Sequence, residues 1–197
     1  MVAAIWLTIV LGLQSATPFW DHFQSVADVG AGRLSLILLD LDGDGRTEIF
    51  LAPALTCGNA GCTWQVYSPV AASGQARYLG EASFPIAGFR LTPSNRALTS
   101  CWHLSAFECE LSEYRLENSA ISRRSLGTCR ADTAVCQRES IRISEWQRQN
   151  DPPVFTAEVA SDLDLERLKW THQGSTAAAA PRVSVPNFDR LAVIAAP

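Results

Sequence analysis

LSLILLDLDGDGRTEIFLAP, residues 34–53, decides how the rest of the chain is read. Two apolar runs, Leu34–Leu39 and Ile49–Ala52, flank a stretch in which Asp40, Asp42, Asp44 and Glu48 crowd together. Short apolar runs bounded by turn residues predict buried strands, so the segment reads as strand, acidic loop, strand. Like charges packed so closely repel, and a bound cation reconciles them. Counted from Asp40, side-chain oxygens fall at the first, third, fifth and ninth positions. Gly45 takes the sixth, where the chain must turn sharply, and the Arg46 carbonyl falls at the seventh. This is the opening of a calcium loop, in which hard carboxylate and carbonyl oxygens converge on a hard cation. An EF-hand would need Glu at the twelfth position and a helix on each side. Leu51 stands there, and both flanks read as strands. The plainer reading is a solvated turn rich in Asp and Gly. It leaves the alternate spacing of the four oxygens unexplained.

Working outward, strand character dominates the middle of the chain. Trp64–Tyr67 is rich in strand formers, and Arg77–Phe84, Phe89–Leu91 and Leu111–Leu116 are further strand candidates, with Pro and Gly between several of them. Glu117–Ala120 predicts a turn joining Tyr114–Leu116 to Ile121–Leu126 as a hairpin. Ile141 and Ile143 alternate with Arg142 and Ser144, the pattern of a half-buried strand. Pro152-Pro153 breaks the chain before a further strand at Val154–Val159. Helix signals are few. Thr17-Pro18 starts an amphipathic stretch carrying Phe19, Trp20, Phe23 and Val26, ended by Gly30. Ser161-Asp162 could cap a turn or two through Leu163, Leu165, Leu168 and Trp170. The fold class that follows is mainly β: an antiparallel domain, sandwich or propeller-like meander, with one or two short helices.

The ends and the cysteines speak to compartment. Val2–Leu13 is an uncharged apolar run, too short to span a bilayer, which takes about 20 residues. It fits the core of a secretory signal peptide over residues 1–16, although no basic residue precedes it. The alternative is a buried N-terminal helix or strand. Residues 17–172 then form the stapled β domain, and 173–197 a linker and C-terminal tail. The last stretch, VSVPNFDRLAVIAAP, is apolar enough to dock back as an edge strand or short helix. Six cysteines fall into three close pairs: Cys57 with Cys62, Cys101 with Cys109, and Cys129 with Cys136. Sequence leaves the connectivity of six cysteines open, and local pairing is the simplest. Zinc would want C-x-x-C spacing or nearby His, and His22, His103 and His172 are scattered. Disulfides imply an oxidising compartment, periplasmic or secreted. A formal net charge of −4 with no basic run argues against a nucleic-acid surface.

Asp40, Asp42, Asp44, Gly45 and Glu48 resemble the D-x-D-x-D-G-x-x-[DE] calcium loop of FG-GAP and VCBS-type repeats, which lies between two strands. The resemblance covers about twenty residues of 197. It implies a calcium ion held by Asp40, Asp42, Asp44 and Glu48 with the Arg46 carbonyl. Glu48 stands where Asp is commoner in the family, and a single copy is present. The acidic loop followed by C-G-N-A-G-C and another strand also resembles small exported bacterial proteins. Some periplasmic relatives of the calcium-loop type are immunity proteins against lysozyme-like toxins. That similarity implies a role by analogy: binding a peptidoglycan hydrolase.

Catalytic signatures are sparse. There is no H-E-x-x-H, no G-x-S-x-G and no phosphate-binding glycine loop. His103, beside Trp102 in the Cys101–Cys109 loop, could serve as a general base with Glu108 or Glu110. Without a nucleophile motif, a hairpin-tip His is the better reading. Asp162, Asp164 and Glu166 suit the start of a helix better than a second metal. The expectation is therefore a binding module without catalysis, contacting another protein through Trp102, His103 and Phe107. These aromatics could equally pack on the core. A secreted hydrolase with an unrecognised site is the alternative.

Overall fold

The computed structural model describes residues 16–70, 74–92, 94, 96–159, 165, 168–172 and 185–194. The leader expected at 1–16 lies almost wholly outside them, as do residues 173–184 of the linker and most of the turn expected after Ser161. The chain builds two β-sheets packed face to face, with a helix on each outer side. The larger sheet contains β1 (Thr17–Pro18), β2 (Gly32–Leu39), β3 (Glu48–Pro53), β4 (Cys57–Gly58), β5 (Gly61–Val70) and β6 (Gln75–Phe84). The smaller is a meander of β7 (Phe89–Thr92), β8 (Ala97–His103), β9 (Glu108–Glu117) and β10 (Ala120–Arg130). The chain then returns to the larger sheet with β11 (Val154–Val159), β12 (Thr171–His172) and β13 (Ala192–Ile194). The strand order of that sheet is β1-β13-β6-β5-β3-β2-β11-β12, with β4 paired to β5. Among the described residues all pairings are antiparallel except β13 with β6. A mainly antiparallel β fold is what the sequence led one to expect.

The opening stretch explains why the fold has layers. β2 and β3 are central strands, and their side chains are buried on both faces. Leu34, Leu36, Leu38, Ile49 and Leu51 point into a core beneath α1 (Phe19–Val26), which contributes Phe19, Trp20 and Phe23. Ile37, Leu39, Phe50 and Ala52 point the other way, toward Trp64, Phe84, Phe89 and Tyr114 between the sheets. Unbroken apolar runs are what strands covered on both sides require. Within the second core the Trp64 ring stacks on Phe84 at 5.2 Å, and its indole N–H donates to the Phe84 carbonyl at 2.9 Å.

Two sequence expectations need correction or refinement. Ile141 and Ile143 do not belong to a strand. They lie in α2 (Ala134–Asn150), which follows β10 and reaches β7, where Gln147 Nε2 donates to the Phe89 carbonyl at 2.7 Å. Arg90 and Glu139 form an ion pair at 3.1 Å between β7 and α2. The C-terminal stretch does dock back, through a 3-10 turn at Phe188–Arg190 and then β13. Yet β13 lies between β6 and β1 and is not itself the edge.

Candidate functional site

Two places gather chemistry: the acidic loop between β2 and β3, and a groove between α2 and the β8–β9 hairpin tip.

In the loop, β2 and β3 pair up to Leu39 and Glu48, so eight residues must reverse direction beyond a closed ladder. Asp40 organises the turn. Its Oδ1 accepts from the N–H groups of Gly43 at 2.7 Å and Asp44 at 3.1 Å, and its Oδ2 from Gly45 N–H at 3.0 Å. Gly45 sits at φ +83°, in the left-handed region that glycine enters without steric cost. Carboxylate oxygens of Asp40, Asp42 and Glu48 lie within 4.8 Å of one another. Oxygens sharing one calcium at 2.3–2.6 Å can be no more than about 5 Å apart. The three therefore fit such an ion. Asp44 does not join them. Arg46 Nε donates to its Oδ2 at 2.7 Å, and Arg46 N–H to its Oδ1 at 2.8 Å. The guanidinium beside Asp44 holds that carboxyl below the usual range.

Glu48 is the unusual member. It is 1% exposed, at the head of a strand otherwise made of apolar residues. Leu41 N–H donates to its Oε2 at 2.7 Å, and the Ser68 hydroxyl approaches its Oε1 at 3.4 Å. Burial first, and the charges of Asp42, Asp44 and Asp40 with it, push its carboxyl up to about 7 against the pull of the Leu41 hydrogen bond. A buried carboxylate among acidic neighbours lacks positive charge, and a cation would supply it.

The second place is built by the disulfides. Cys57–Cys62, Cys101–Cys109 and Cys129–Cys136 are bonded, which is the local scheme expected from spacing. Three disulfides fit an exported protein. No helix among the described residues is long and apolar enough to cross a membrane. Cys101–Cys109 ties the end of β8 to the start of β9, and the Ala131 N–H donates to the Phe107 carbonyl at 2.8 Å, tying the tip to the end of β10. Cys129–Cys136 anchors the first turn of α2 to β10, where Thr133 caps the helix. Between tip and helix runs an open, largely apolar groove of about 390 Å³. Cys101, Cys109 and Cys136 contribute to its lining. His103, Phe107 and Glu108 contribute from the hairpin, and Gln137, Ser140 and Ile141 from the helix.

Of the three residues expected to contact a partner, His103 and Phe107 line this groove, whereas Trp102 does not. Successive strand residues face opposite sides, so Trp102 points away from its neighbours and is half-buried. Phe107 is 71% exposed and Ile141 is 56% exposed. His103 is exposed but forms no hydrogen bond with Ser140 or Glu108 among the described residues. Sequence reasoning missed the helical wall altogether. The i, i+3, i+4 spacing of Gln137, Ser140 and Ile141 places them on one helix face, and that signal was there to read.

Comparisons with family models, curated proteins and solved structures return no match for this chain.

Proposed function

We propose that this is an exported, calcium-stabilised β domain that binds another protein through the groove between the Cys101–Cys109 hairpin tip and α2. The observation that carries the reading is the exposure of Phe107 and Ile141 on either side of an apolar groove whose walls are held by disulfides. Stapled walls lose little conformational entropy on docking, and an exposed aromatic beside a pocket is the residue type that anchors interfaces. The calcium, held by Asp40, Asp42 and Glu48 with Asp44 and the Arg46 carbonyl in reserve, stabilises the β2–β3 turn. The resemblance of that loop to calcium loops of exported proteins favours a peptidoglycan hydrolase as partner and inhibition as the role. The apolar leader and the disulfides favour the periplasm or the cell exterior as the place.

The test is titration calorimetry of the calcium-loaded protein against lysozyme-type hydrolases, with residual hydrolase activity measured in parallel. Phe107→Ala is expected to weaken binding by about 30-fold, the loss of one anchor worth roughly 2 kcal/mol. Its melting temperature should be unchanged. Binding unaffected by Phe107→Ala and Ile141→Ala would remove the groove from the interface. Turnover of peptidoglycan by the protein itself, abolished by His103→Ala, would favour the hydrolase instead.

A further inference from the structure

Two of the three disulfides are not independent. Cys109 lies directly opposite Cys129 in the β9–β10 ladder. Its Sγ is 3.8 Å from the Cys129 sulfur and 3.7 Å from the Cys136 sulfur. The four sulfurs of Cys101–Cys109 and Cys129–Cys136 therefore form one cluster beneath α2, packed as a small core of their own. The cluster is also approachable, since Cys101 is partly exposed and Cys101, Cys109 and Cys136 line the open groove. Cys129 lies behind them.

We propose that this cluster is a thiol–disulfide exchange site, converting on two-electron reduction to a cross-strand Cys109–Cys129 bond with thiols at Cys101 and Cys136. The substrate class is a cysteine thiol admitted through the groove, and the inference goes beyond the binding role because it rests on the spacing of the sulfurs and their access from the groove. An incoming thiolate attacks the Cys101 sulfur, forming a mixed disulfide and expelling the Cys109 thiolate. Cys109 then attacks the adjacent Cys129 sulfur, and the Cys129–Cys136 electron pair leaves on Cys136, which takes up a proton. A second substrate thiolate attacks the substrate sulfur of the mixed disulfide, forming the substrate disulfide and expelling the Cys101 thiolate, which takes up a proton. Two substrate thiols are oxidised to one disulfide, and one protein disulfide is reduced.

Two features direct the second step to this product. Cys136 occupies the third position of α2, where helix N–H groups and the dipole stabilise a thiolate, so it is the better leaving group. The bond that forms joins residues already opposite in an antiparallel ladder, where Cα separations of about 4.5–5.5 Å suit a disulfide. Attack at Cys136 instead leads to the same end. The Cys129 thiolate it expels is beside Cys109, and Cys101 then leaves.

The experiment is anaerobic titration of the full chain with reduced glutathione in defined glutathione redox buffers, trapping with excess N-ethylmaleimide and mapping peptides by mass spectrometry. The expected two-electron species carries label on Cys101 and Cys136 and a cross-linked peptide pair joining Cys109 to Cys129. Any other labelled pair would overturn the proposal, as would direct passage to four thiols. A second arm uses Cys101→Ser, with circular dichroism checking the fold. Its odd thiol is expected on Cys136, and a label confined to Cys109 in folded protein would count against exchange. Should that variant not fold, the titration of the unaltered chain decides.

Discussion

Glu48 concentrates the physics of the acidic loop. Its carboxyl is pushed up to about 7 from the 4.5 of an ordinary glutamate, because burial disfavours the charge. A folded-state value above the unfolded one means that the folded chain holds the proton more tightly. The associated stability is present below pH 4.5 and is lost as pH rises toward about 7. In chelator, the melting temperature should therefore fall across that window by roughly 5 °C, and calcium should flatten the dependence. Glu48→Gln keeps an oxygen for the Leu41 N–H and removes the charge. It should melt higher than the parent in chelator at pH 8 and no longer respond to calcium. A parent protein that melts alike with and without calcium would remove the ion from the loop. Two glycines set a further contrast. A Cβ at Gly45 meets nothing within 4 Å, so Gly45→Ala costs only the left-handed backbone, about 1 kcal/mol, and weakens calcium binding. A Cβ at Gly61 lands 2.7 Å from the Phe84 carbonyl carbon and the Pro85 nitrogen, which are backbone atoms and cannot rotate away. Gly61→Ala should cost at least about 3 kcal/mol by urea unfolding.

Among the elements, α2 separates what could be read from the sequence and what could not. Ile143 is 4% exposed and Ile141 is open to solvent, a division that a helix makes and a strand would not. Ile143→Ala should cost about 2–4 kcal/mol in denaturant unfolding, whereas Ile141→Ala should stay within about 0.5 kcal/mol. Equal costs would return the segment to a strand. β2 and β3 were legible as apolar runs, and β5, β6 and β9 as shorter stretches of strand-forming residues between turn signals. The β9–β10 hairpin was legible from its turn, where Asn118 and Ser119 adopt φ of 51° and 62°. For Ile141–Ser144 the local alternation of two misled, since the helix is set by features outside that window. They are the Thr133 cap, the buried stripe through Cys136 and Ile143, and the left-handed Asp151 before Pro152. The same error hid half of the groove. The disulfides were legible because short separations leave local pairing simplest. The contact between the two bridges was not, because it depends on which face of sheet α2 covers. Strands of two or three residues, such as β1, β4 and β13, carry no pattern at all and exist only through their partners.

At the scale of the molecule, the two ends of the described chain close the outer layer together. Phe19 N–H donates to the Leu191 carbonyl at 3.1 Å, and the Trp20 indole N–H to Asp189 Oδ1 at 3.2 Å. The Phe188 ring lies 4.9 Å from Phe19 and 5.0 Å from Trp20, while β13 bridges β1 and β6. These contacts span nearly the whole sequence, so their loop-closure entropy must be met late in folding by burial of the aromatic cluster. Phe188 is 4% exposed, and Phe188→Ala should cost about 3–5 kcal/mol in equilibrium urea unfolding. The damage should stay in the layer beneath α1. The core between the sheets is separate, and the groove and its disulfides lie with the other sheet. Calcium should still raise the melting temperature of Phe188→Ala, and the hydrolase affinity measured below its unfolding transition should match the parent. Because the C-terminal segment enters the sheet, its loss should follow the same transition as the rest. A first, separate unfolding step in the parent, absent from Phe188→Ala, would mean instead that the segment is an appended strap and that the two-layer β core folds without it.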